Sequence, residues 1–119
     1  MTLHDRPTAS ELVAAVREYL ERDVMTTTEG RVAFHARVAV NVLGMVEREL
    51  DLGAAQDVED HARLVELLGR DGTVQELTEI LAHGIRDGSL DLPWSDVIET
   101  VRGTVRAKLD VANPGYLDR

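Results

Sequence analysis

The chain of 119 residues fits one helical domain, long enough to bury roughly two thirds of its extended surface. Hydrophobic residues make up 44% of it but only four are aromatic, so a core must come from Val, Leu, Ile and Ala, and the lack of cysteine excludes disulfides and thiolate chemistry. The net charge of −9 is uneven: residues 45–100 hold 14 acidic and 4 basic side chains, which makes nucleic acid and anionic membrane poor partners for that half.

The start, MTLHDRPTASE, has neither a basic nor an apolar leader-like region, and a cytoplasmic location is the expectation. Thr8 and Glu11 have the spacing of a capping box that opens a first helix. Leu12, Val13, Val16, Tyr19, Leu20 and Val24 then share one side of it. The run Thr26, Thr27, Thr28 disfavours helix and offers N-caps ahead of Gly30. From Gly30 to about Asp51 follows a segment apolar almost all round, through Val32, Phe34, Ala36, Val38, Val40, Val42, Leu43, Met45 and Val46. Such a segment predicts a buried central helix, about residues 30–51, too interrupted by Arg37, Asn41 and Glu47 to span a membrane.

Leu52, Gly53 and Ala54 are expected to end that helix, and Gln56–Leu68 to form a third, stopped by Gly69. Thr73 and Glu76 repeat the capping-box spacing before a fourth helix to about Arg86, with Val74, Leu77, Ile80, Leu81 and Ile85 on its apolar face. Gly84 lies within that face, where a glycine points to close packing. The last helix begins at Pro93 or Ser95, turns Trp94, Ile98, Val101, Val105, Leu109 and Ala112 inward, and ends at Asn113-Pro114-Gly115. Tyr116 and Leu117 then fold back as an anchor. The fold class is all-α, a single compact bundle of about five helices around the buried central one, with residues 1–119 as one domain.

Candidate binding groups lie on two helices. Arg37 and Asn41, with Arg48 on the same side, form a polar stripe, while Arg31 and His35 form another. They suit either an exposed edge with structural hydrogen bonds or a site for an anion, which arginine binds well when left unpaired in a cleft. Lys108 sits within the apolar arc of the last helix, flanked by Arg102 and Arg106. Its stem lies on the core with the head paired to a residue such as Glu47 or Glu49, or the three cations line a basic cleft between the central and last helices. The pairs Asp57/His61 and Glu79/His83 have a spacing compatible with metal ligands but lack the Glu-x-x-His pattern of di-iron bundles, and His61 reads as a packed histidine. No nucleophile elbow, Walker loop or dinucleotide fingerprint is present, so neither catalytic residues nor a cofactor are assigned.

RPTASELVAAVREYLE, GRVAFHARVAVNVLGMVEREL and VRAKLDVANPGYL together resemble a family of small uncharacterised bacterial proteins known as a domain of unknown function. The resemblance covers nearly the whole chain. It implies an accessory role, because members are often encoded beside aminoglycoside/choline-kinase-like phosphotransferases and acyl-CoA dehydrogenases. Two functions are therefore expected. One is a non-catalytic interaction module, partnering such an enzyme or forming a homo-oligomer through Leu109, Tyr116 and Leu117. The other is a binder of a phosphorylated or carboxylated metabolite, held by His35, Arg37, Asn41, Arg102, Arg106 and Lys108.

Overall fold

A computed structural model describes residues 6–118; the first five residues, on which the leader reading rests in part, lie outside the described residues. Every regular element among the described residues is helical: α1 (Ala9–Tyr19), a π-helical turn (Leu20–Val24), α2 (Gly30–Leu68), α3 (Val74–Asp87), α4 (Trp94–Ala112) and a 3-10 turn (Pro114–Asp118). Among the described residues the α-helices number four, not five, because the break expected at Leu52-Gly53-Ala54 does not occur. An interior glycine costs a helix about 1 kcal/mol, which the strong helix formers Ala54 and Ala55 beside it help to offset. No described helix is long and apolar enough to cross a membrane.

The chain divides into two compact units, residues 1–53 with 111–113, and residues 54–110 with 114–119. In the first, α1 opens with the expected capping box: Thr8 accepts from the Glu11 amide and Glu11 accepts from the Thr8 amide. The three threonines act at the other end of the segment. Thr26, Thr27 and Thr28 donate their hydroxyls to the carbonyls of Arg22, Asp23 and Val24, so they finish the first helical segment instead of capping the next. Gly30 starts α2 at φ +62°, a backbone conformation open to glycine at little cost. Arg17 on α1 forms an ion pair with Glu47 on α2, both partly buried, and Glu47 holds the guanidinium pKa above its usual value.

The amino-terminal part of α2 is not the buried centre that its apolar character predicts. Of residues 30–53 only Ala36 is buried, while Val32, Phe34, Val38, Val42, Met45, Val46 and Leu52 are exposed. Ala39, Val40, Leu43, Glu47 and Leu50 are half-buried on the opposite side. A helix apolar all round needs covering all round, and the first unit covers one side.

The core lies in the second unit, where Leu64, Leu77, Leu81 and Val97 pack with Val65, Leu68, Val74, Ile80 and Leu90. α3 starts with the predicted capping box at Thr73 and Glu76 and ends on Gly88 in the left-handed region. Gly84 is required by close approach: a Cβ there would stand 2.5 Å from Leu90 Cγ.

α4 faces inward on a different side from the one expected. Val97 and Thr100 are buried and Gly103, Thr104 and Ala107 half-buried, while Trp94, Ile98, Val101 and Val105 are exposed. Small residues let α2 come close: the Arg63 side chain lies on Gly103, where a Cβ would meet Nε at 2.6 Å. Several polar groups on this face are satisfied locally, whereas the Arg63 Nε is buried without a hydrogen-bond partner among the described residues. Gln56 donates to the Ala107 carbonyl (2.9 Å), and the Thr104 hydroxyl reaches Asp60 (3.4 Å), which also pairs with Arg63. Side-chain hydrogen bonds and the close seating of Arg63 on Gly103 thus accompany an orientation that apolar periodicity alone misassigns.

Candidate functional site

Rotating the inner face of α4 leaves its apolar stripe to line an open groove. Trp94, Ile98, Val101, Val105 and Leu109 form its floor, with Ile85 from α3 and Leu117 from the 3-10 turn at the sides. The cavity measures about 390 Å³. Of the two tail residues expected to fold back as an anchor, Leu117 lines the groove while Tyr116 does not, and both are exposed.

Arg102 and Arg106 lie one turn apart along the same groove. Among the described residues neither forms an ion pair or a hydrogen bond, and no carboxylate lines the cavity. Two unpaired guanidiniums beside an apolar floor suit a ligand with an apolar body and an anionic end, since arginine contacts carboxylates and phosphates bidentately. Lys108 is exposed, is not among the groove residues, and has no ion pair among the described residues. Glu47, one of its expected partners, instead pairs with Arg17.

The remaining candidates belong to the first unit. Arg37 and Asn41 are exposed and have no hydrogen bond among the described residues; His35 is exposed with its ring edge-on to Phe34, centroids 5.5 Å apart. Arg48, their neighbour on the wheel, is structural. Its Nε donates to the Val111 carbonyl at 2.7 Å, supplying a partner for a carbonyl in the last turn of α4. That part of the polar stripe follows the structural reading.

His61 binds the loop ahead of α3, with Nε2 3.2 Å from Asp71 Oδ1 and 3.0 Å from the Gly72 carbonyl. Asp71 also accepts from the Gly72 amide at 2.8 Å. That amide, with His61 second, holds the Asp71 carboxyl below the usual carboxylate range. Asp87 is lowered by Ser89, through its hydroxyl first and then its amide, which donates at 3.0 Å. No group of three His, Asp or Glu side chains among the described residues stands close enough to hold a metal ion.

The sequence named both groove arginines but placed the groove's apolar lining in the core. Its one available signal was the small and polar run Thr100, Gly103, Thr104 and Ala107, which marks a second face suited to close packing. The site is an apolar groove with a cationic edge on an all-helical scaffold. The chain belongs to the DUF6285 family, a domain of unknown function, which matches residues 26–116. No curated relative and no solved structure matches it.

Proposed function

We propose that this chain is a non-catalytic accessory module whose α4 groove docks an apolar, acid-bearing segment of a partner protein. A phosphotransferase-like or acyl-CoA-handling enzyme is the partner class implied by the sequence resemblance. The observation that carries the reading is the exposure of the α4 apolar stripe while its small and polar face packs inward. From Trp94 to Leu109 the stripe extends for about 22 Å at 1.5 Å per residue, room for some four turns of an amphipathic helix. Arg102 and Arg106 then select carboxylates on that helix.

A second reading rests on the size of the cavity. About 390 Å³ falls within the range of small-molecule sites, and the unpaired arginines suit a carboxylate or phosphate on an apolar tail. One experiment separates the two. The tagged wild type and a Val101→Asp variant are used as baits in the source cells, and purified protein is melted with a series of fatty carboxylates. An enzyme captured by wild type and lost with Val101→Asp, with no thermal shift from the carboxylates, supports docking. Stabilisation by a carboxylate that Arg106→Gln abolishes, with no captured enzyme, supports the ligand reading; capture unaffected by Val101→Asp refutes the groove as the docking surface.

A further inference from the structure

The exposed side of α2 in the first unit is independent of the α4 groove. Phe34, Val38, Val42 and Met45 recur at intervals of four, four and three, the spacing of a continuous apolar seam on a helix. Phe34 is 59% exposed and Val42 50%. Arg31 and Glu49 bracket the seam. They are 18 residues apart, about five turns, and therefore point to the same side of the helix as the seam's centre. Both are exposed, and neither has an ion pair among the described residues.

We propose that a second copy of this chain covers this seam, α2 against α2, in an antiparallel two-fold arrangement whose axis crosses the seam midway between Val38 and Val42. Charge selects both the occupant and its direction. A two-fold axis at that position puts Arg31 of each copy opposite the other copy's Glu49, and Val38 opposite Val42, so both ends of the seam are matched by one pairing. A parallel pair would instead set Arg31 against Arg31 and Glu49 against Glu49, a like-charge arrangement that specific interfaces avoid.

Val38 and Met45, 44% and 38% exposed, continue the open apolar surface between Phe34 and Val42, and contiguous apolar surface of this kind often marks an interaction site.

The test is sedimentation of the full chain, wild type against Val42→Asp, Arg31→Glu and Glu49→Arg. Wild type should sediment at twice 13.1 kDa and Val42→Asp at 13.1 kDa with unchanged helicity. Each charge reversal creates two like-charged contacts per dimer and should weaken association about tenfold or more. An equimolar mixture of Arg31→Glu and Glu49→Arg chains should restore a dimer of wild-type strength, because each acidic pair then meets a basic pair. A monomeric wild type, or charge variants that weaken the dimer but do not rescue one another on mixing, would overturn the proposal. If Val42→Asp fails to fold, the mixing experiment decides alone, since it changes only exposed charges. Crosslinking with a short bis-maleimide gives direction: an Arg31→Cys chain should be joined to a Glu49→Cys chain, whereas joining of two Arg31→Cys chains would overturn the antiparallel arrangement.

Discussion

Replacing Leu77 by alanine tests where the core lies. Leu77 is fully buried among Leu64, Leu81 and Val97, and the loop at Gly72 closes over it, a Cβ there standing 3.3 Å from Leu77 Cδ2. Truncation removes the transfer energy of three carbons, about 2.5 kcal/mol, and leaves a cavity that packed neighbours fill only in part, for a total of about 3–4 kcal/mol. Phe34→Ala removes more atoms, but the ring is 59% exposed and its covered portion is worth only about 1 kcal/mol. The comparison inverts the ranking that the all-round apolar pattern of residues 30–51 suggests. Urea unfolding of both variants, in protein dilute enough to be monomeric, measures it. Equal losses, or a larger loss for Phe34→Ala, would refute the placement of the core at Leu77.

Three further outcomes follow from the same packing. Gly84→Ala should destabilise by about 1 kcal/mol net in urea unfolding, because overpacking against Leu90 exceeds the helix propensity gained, whereas a glycine without close neighbours would give stabilisation. Thr73→Ala should cost about 1 kcal/mol by removing the acceptor for the Glu76 amide, and Thr73→Ser should recover most of it. Asp71 and Asp87 have folded pKa values below their unfolded ones, so their stabilising effect is complete above the unfolded value of about 4 and is lost as pH falls through the folded values. Thermal melts of an Asp71→Asn/Asp87→Asn variant should therefore show a shallower acid limb below about pH 4; a limb as steep as wild type would refute the assignment.

Local signals were readable along the chain wherever the chemistry is local. Thr8/Glu11 and Thr73/Glu76 cap helices as their spacing requires, Asn113-Pro114 ends α4 one residue before the proline ring would obstruct it, and Gly84 marks a close approach. The family match is to a domain of unknown function and adds no chemistry. Arg102 and Arg106 were recognisable as two cations one turn apart on the last helix, although Glu99 and Asp110 stand three and four positions from them.

The amino acid order by itself determined an all-helical chain, most helix ends and the residues available for each face, because capping, propensity and periodicity act within a few turns. Tertiary structure decided which faces are covered. Apolar residues on Phe34–Met45 and on Trp94–Leu109 satisfy the periodicity of a core helix equally well whether another helix or solvent lies beside them. For α4, Thr100 and Gly103 face inward and Val101 stays open where Arg63 passes close, with Gln56 bonded to the Ala107 carbonyl and Asp60 to the Thr104 hydroxyl. Those contacts join residues some 40–50 positions apart, beyond the reach of any pattern read along one helix.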